Sequence, residues 1–274
     1  MANRGLQFEW AILYEAKNRL TAAERTPADT ALMTLSKRNR GSTQEVLKAA
    51  SKMIKVIDDM VSAREKKKTW QSFVKVSGGG AEPKTDIMFK IGSKKYKCSM
   101  KFGESIQLAS GGLTTSIQYL TGVLNNLKED RAITTGHAKS LIQIFAELDE
   151  NYNVGTKAQP EMKRLMTQIR DEGGLQDKLQ RALGSAKNPQ PAEEFAAFKE
   201  AVVRESMTGQ GTFGKRSDRT ANYILSENKL IPITNKYIKK IAENASVRIR
   251  LKGRGKKDGV RFNEIVISMD SLIV

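Results

Sequence analysis

The stretch TDIMFKIGSKKYKCSMKFGESIQLASGG, Thr85 to Gly112, decides how this chain is read. Its first part alternates with period two: Ile87, Phe89 and Ile91 share one face, and Asp86, Met88 and Lys90 the other. Gly92-Ser93-Lys94 is short enough for a tight turn. The alternation then resumes, with Tyr96, Cys98 and Met100 against Lys97, Ser99 and Lys101. Two antiparallel strands are predicted. Asp86 opens the first, and Ser99-x-Lys101 lies near the end of the second. Such a pair brings a carboxylate and an ammonium to one end of a sheet. A carboxylate can hold a divalent ion, which polarises a phosphate and lowers the pKa of a bound water. A lysine can orient or deprotonate that water and offset charge in the transition state. The plain alternative is an exposed charge pair on a hairpin.

Upstream the period is helical. In GLQFEWAILYEAKNRL, Phe8, Ala11, Ile12, Ala16 and Leu20 recur at spacings of three and four. STQEVLKAASKMIKVIDDMVSAR repeats the pattern with Val46, Leu47, Ala50, Ile54, Ile57 and Val61, and Ser42 or Thr43 can cap it. QSFVKV reads as a strand and SGGGAEPK as a loop. Downstream, the glycine-rich GESIQLASGG leads into an apolar helix, LTTSIQYLTGVLNNL. Residues 135–183 are helical in pattern, GSAKNPQPAEE is a long turn, and EEFAAFKEAVVRESM is another helix. A short basic helix, NKYIKKIAENA, precedes a C-terminal hairpin in which Val247, Ile249 and Leu251 alternate with Arg248, Arg250 and Lys252. The expected class is α/β: a small mixed central sheet flanked by helices. The expected division is a core at 1–127, a helical insertion at 128–192, and a helix-loop-hairpin region at 193–274. The last strands are candidates to complete the sheet begun at residues 72–101.

Charge narrows the partner. The 274 residues hold 47 Lys and Arg against 30 Asp and Glu, a net charge of +17. Such an excess points to a polyanion bound through counterion release. No apolar run approaches the roughly 20 residues of a membrane span, and the N-terminus has no signal-peptide apolar region, so an intracellular, cytoplasmic protein is expected. Cys98 and His137 stand alone, one of each kind, which excludes an internal disulfide and a zinc site of nitrogen and sulfur ligands. No phosphate-binding GxxxxGK[ST] loop occurs, which argues against a nucleotide cofactor.

On these residues the chain resembles the PD-(D/E)XK, or restriction-endonuclease-like, nuclease superfamily. That family's motif is an aspartate opening one strand and an acidic-x-lysine on the next, often joined by a glutamate from the first helix. Here EPKTD ends in Asp86, SMK supplies Lys101, and RGLQFEWAIL is similar to the first-helix pattern, giving Glu9; Glu15 is a competitor on a different face. Ser99 replaces the second acidic residue, a departure also found in some restriction-type members. Glu9, Glu104 or the Met100 backbone carbonyl could make up the missing ligand. Gln107 matches a glutamine that often follows the lysine. The resemblance implies a restriction-endonuclease-like core and a DNA endonuclease using Mg²⁺ or Mn²⁺. Asp86, Glu9 and Met100 would be metal ligands, and Asp86, Glu9, Ser99 and Lys101 catalytic residues. A homodimer is compatible with it. The chain's general style is similar to that of bacteriophage proteins.

Other segments bear on the same partner. Arg248, Arg250, Lys252, Arg254, Lys256 and Lys257 are dense, and the first three share one strand face, which suits contact with a nucleic-acid backbone. RESMTGQGTFG, Arg204 to Gly214, reads as a helix end with Gly209 as C′ cap and then a phosphate-facing loop, with Glu205 a lesser ligand candidate. KKDGVR matches the KxDGxR motif of nucleic-acid ligases. Only 13 residues follow Arg261, too few for that family's other motifs, so Asp258-Gly259 is read as a hairpin turn. The competing functions are a non-catalytic basic DNA-binding or DNA-packaging protein and an RNA-binding structural protein.

Overall fold

A computed structural model describes residues 4–20, 40–64, 73–75, 83–101, 106–111, 113–171, 174–253 and 260–269, with scattered positions between 22 and 33. In chain order the first elements are α1 (Arg4–Glu15), α2 (Arg40–Arg64), β1 (Phe73–Lys75), β2 (Ile87–Ile91), β3 (Lys94–Met100) and β4 (Ile106–Gly111). Then come α3 (Leu113–Glu129), α4 (Thr135–Tyr152), β5 (Thr156–Lys157), α5 (Gln159–Asp171), α6 (Leu175–Leu183), α7 (Ala196–Thr208) and α8 (Gln210–Phe213). The last are β6 (Tyr223–Leu225), β7 (Leu230–Pro232), α9 (Asn235–Ala242), β8 (Ser246–Gly253) and β9 (Val260–Met269). The class is α/β, with sheets flanked by helices. The chain forms two compact units, one of residues 1–103 and 207–234, the other of 104–206 and 235–274.

The first unit holds a five-stranded sheet in the order β1-β2-β3-β6-β7. It is mixed, because β6 runs parallel to β3 while every other pairing is antiparallel. Gly92, at φ +57°, makes a two-residue turn with Ser93 and sets Ile91 opposite Lys94. Ile87, Phe89, Ile91, Tyr96, Cys98 and Met100 form one face and pack in a single core with Phe8, Ala11 and Ile12 of α1 and Met53 and Ile57 of α2. Each large apolar side chain buried there contributes about 1.5–3 kcal/mol. A one-residue slip would turn all of them to the opposite face, so register is strongly held. Phe89, Tyr96 and Tyr223 add a ladder of rings with centroids 4.9 Å apart.

The second unit is built on β9. β8 pairs along one edge of β9, and β4 and β5 follow one another along the other. Its helices bury residues at helical spacing: Leu141, Phe145 and Leu148 on α4, Met162, Met166 and Ile169 on α5, Leu175 and Leu179 on α6. Thr134 caps α4 by accepting from the His137 N–H.

One stretch left unassigned gains a strand, and one expectation is corrected. The glycine-rich stretch after Lys101 contains a strand, β4, because its backbone is claimed by β9. The C-terminal hairpin does not complete the first sheet; β8 and β9 form the second sheet with β4 and β5. The segment between β3 and β6 therefore carries 104–206, more than the expected insertion at 128–192. No helix among the described residues is long and apolar enough to cross a membrane.

Candidate functional site

The antiparallel register that sets Ile87 opposite Cys98 carries one step further, to Asp86 beside Ser99. There the backbone pairing continues, with the Asp86 N–H donating to the Cys98 carbonyl at 2.9 Å. The carboxylate turns onto β3. Asp86 Oδ2 accepts from the Met100 N–H at 2.6 Å and, more loosely, from Ser99 Oγ at 3.3 Å. The Lys101 N–H in turn donates to the Leu225 carbonyl of β6 at 3.0 Å, so the residue carrying the ammonium is tied on its far side. Asp86 and Lys101 are half-buried and Ser99 is buried. A carboxylate with two donors on one oxygen has a set orientation, which a solvated hairpin aspartate lacks.

Ser99 is flanked on its own face by Lys97, two residues back. Lys97 is only 9% exposed, and its Nζ donates to the Ser217 carbonyl at 2.7 Å and to Thr220 Oγ1 at 2.8 Å. Burial pulls the Lys97 ammonium below its ordinary pKa, partly countered by the Asp218 carboxylate. Asn222 continues the join. Its Oδ1 accepts from the Lys97 N–H at 2.8 Å, and its N–H donates to the Lys97 carbonyl at 2.9 Å. On the far side of the sheet Cys98 is buried, and burial first, then the Asp86 charge, push its thiol well up. Cys98 is thus a core residue rather than a nucleophile.

Gly209 follows α7 at φ +64°, as its expected role as C′ cap requires. A Cβ there would lie 2.8 Å from Lys84 Cγ, so glycine lets this turn approach the segment leading into Asp86. The Lys84 and Thr85 N–H groups both donate to the Arg219 carbonyl, at 2.9 and 3.2 Å. The Thr-Gly segment singled out in the sequence is thus seated beside the strand start that carries Asp86.

The other expected residues come from other elements. Glu9 belongs to α1, whose Phe8, Ala11 and Ile12 pack in the core with Ile87 and Cys98. Gln107 is on β4 in the second unit, and Glu205 is buried in that unit. Glu104, Arg254, Lys256 and Lys257 lie outside the described residues, as do the side chains of Gln107, Arg248, Arg250 and Lys252. Among the described residues no three His, Cys, Asp or Glu side chains gather into a metal-binding group. Mg²⁺ does not require one, since it keeps several waters and is held by one or two carboxylates plus substrate phosphates. Asp86 with the Ser99 hydroxyl is an all-oxygen set of that kind, and it fits Mg²⁺ or Mn²⁺ held jointly with a phosphate.

Three contributors escaped the reading of the sequence. The Met100 N–H is a backbone donor that no side-chain motif reveals. Lys97 and Asn222 act through partners more than a hundred residues away in the chain. Compared with protein families, with curated proteins and with solved structures, the chain gives no match.

Proposed function

We propose that the protein is a Mg²⁺- or Mn²⁺-dependent DNA endonuclease centred on Asp86 and Lys101. One observation carries the reading: Asp86 Oδ2 is held by the Met100 N–H and Ser99 Oγ, one residue before Lys101. Asp86 would hold the metal, which supplies Lewis acidity and an acidified water. Lys101, on the same face as Ser99, positions the attacking water and offsets the charge developing on the phosphate. Ser99 keeps the carboxylate oriented and leaves the site with one acidic ligand fewer than the family motif, so metal binding depends on the substrate phosphate. The chain's net charge of +17 supports a nucleic-acid substrate.

A second reading, a basic DNA-binding or packaging protein with no catalysis, needs only the net charge of +17. Plasmid nicking separates the two. Cleavage that requires Mg²⁺ or Mn²⁺, and that drops roughly 10²–10³-fold or more in Asp86→Ala and in Lys101→Ala, is expected. No cleavage with either metal, and equal DNA binding by wild type and both variants, leaves the binding protein.

A further inference from the structure

We infer that the loop Gly214–Thr220 is a DNA-backbone clamp for this site, with Lys215 and Arg216 as its phosphate contacts. The inference rests on the nucleic-acid reading above and adds a surface outside the Asp86–Lys101 group.

The loop is fastened to the strands that carry the site. The Arg219 carbonyl accepts from the Lys84 and Thr85 N–H groups, and Lys97 Nζ reaches Ser217 and Thr220 from inside. Within the loop, the Ser217 N–H donates to the Gly214 carbonyl at 3.1 Å, and the Arg219 N–H to Ser217 Oγ at 3.1 Å. The Arg219 guanidinium lies 4.3 Å from the centroid of the Phe213 ring. The Lys95–Asp218 pair, at 2.9 Å, is about half exposed on both sides and adds little, roughly 0–1 kcal/mol. What it does is occupy the loop's one carboxylate. Lys215 and Arg216 stay exposed, and no carboxylate among the described residues pairs with them.

Two adjacent cations on a fixed loop suit a repeating anion. The anchored Arg219 carbonyl is bonded to the residue before Asp86, and Lys215 is four residues away. Four residues span at most about 14 Å. Phosphates recur about every 3.4 Å along one strand of the duplex axis. Lys215 and Arg216 therefore fall within roughly four phosphates of one lying at Asp86. Flexible lysines on an unpinned loop would pay ordering entropy on binding; here the protein's own contacts have already supplied most of that order.

The test is full-length protein binding a short fluorescent DNA duplex in EDTA, over a series of KCl concentrations. Lys215→Ala/Arg216→Ala is compared with a charge-matched control, Lys139→Ala/Lys163→Ala, whose side chains are exposed on α4 and α5. The slope of log Kobs against log [KCl] should become shallower by about 2 in the loop variant and stay unchanged in the control. Equal slopes in all three proteins, or an equal change in the control, overturn the clamp. Unaltered thermal melting of the loop variant establishes that its fold is intact. Plasmid nicking is scored separately. Metal-dependent cleavage with no slope change sinks the clamp alone, whereas a slope change with no cleavage under any metal keeps the clamp and sinks the catalytic reading. Absence of DNA binding by the wild type overturns both.

Discussion

Each unit buries a lysine, and the two lysines are treated differently. Lys97, 9% exposed on β3, is given two oxygen acceptors, with the Asp218 carboxylate close enough to favour its charge. Lys199, 2% exposed on α7, has the Pro189 carbonyl as its acceptor, and burial alone pulls its pKa down to about 8. An ammonium has three N–H donors and is costly to desolvate unless they are used. In the first unit that cost is offset by joining a loop to a candidate site. In the second it fastens a turn after α6, and burial is the cause of its lowered pKa. Depth of burial therefore says less about function than what the buried charge is given to hold.

Gly184 is where the second unit is most sensitive to substitution. It sits at φ +78°, and a Cβ there would fall on the Pro189 carbonyl oxygen and 3.0 Å from Lys199 Nζ. A backbone oxygen cannot step aside as a flexible side chain can. Gly184→Ala should therefore destabilise the protein by about 3 kcal/mol or more, read from chemical denaturation. A loss below about 1 kcal/mol would mean that the turn has room, and that Lys199 is not closely held.

Lys97→Met comes next. Methionine keeps most of the buried stem but leaves the Ser217 carbonyl and Thr220 Oγ1 without their ammonium donor, at a cost of about 2 kcal/mol. The same change loosens the loop that presents Lys215 and Arg216. Trypsin, which cuts after both, should nick the native variant there faster than wild type, whereas Lys199→Met should leave that rate unchanged. Equal nicking in wild type and Lys97→Met would show the loop held by its backbone bonds to Lys84 and Thr85 instead.

Much of the first unit was legible because strand alternation and a two-residue turn are local. Counting outward from Gly92 and Ser93 fixes Ile87 opposite Cys98, and hence Asp86 beside Ser99. The long helices were legible for the same reason: Phe8, Ala11, Ile12, Val46, Ala50 and Ile57 all proved buried. What failed was non-local. β4 was missed because glycine and serine lower strand propensity, and its partner begins at Met269, far along the chain. The C-terminal hairpin was recognised, but alternation does not say which sheet a hairpin joins. Lys97 was placed on the correct face, yet nothing near it announces Ser217, 120 residues on. Lys199 sits in EEFAAFKEAVV like any helix-surface lysine, and only packing buries it.

The smallest effect separates the two lysines by their protons. Below pH 8 Lys199 is charged in both folded and unfolded chains, so the folded state bears the full cost of burying the ammonium. Above pH 8 the folded chain releases this proton, while the unfolded chain holds it until near pH 10.5. Through that window the unfolded state binds more protons, and stability rises with pH. The gain from Lys199 between pH 7 and pH 9 is about 1 kcal/mol. Other groups titrate there too, so the measurement is a difference. Wild type and Lys199→Met are unfolded in parallel at each pH, and contributions common to both cancel. The gap should move in favour of wild type by that amount as the pH rises. For Lys97→Met the corresponding shift should be smaller, because the Asp218 carboxylate holds Lys97 nearer its ordinary value. Equal shifts for the two variants would mean that the acceptors around Lys97 do no more for its charge than one carbonyl does for Lys199, and the contrast between the units would then lie in geometry alone.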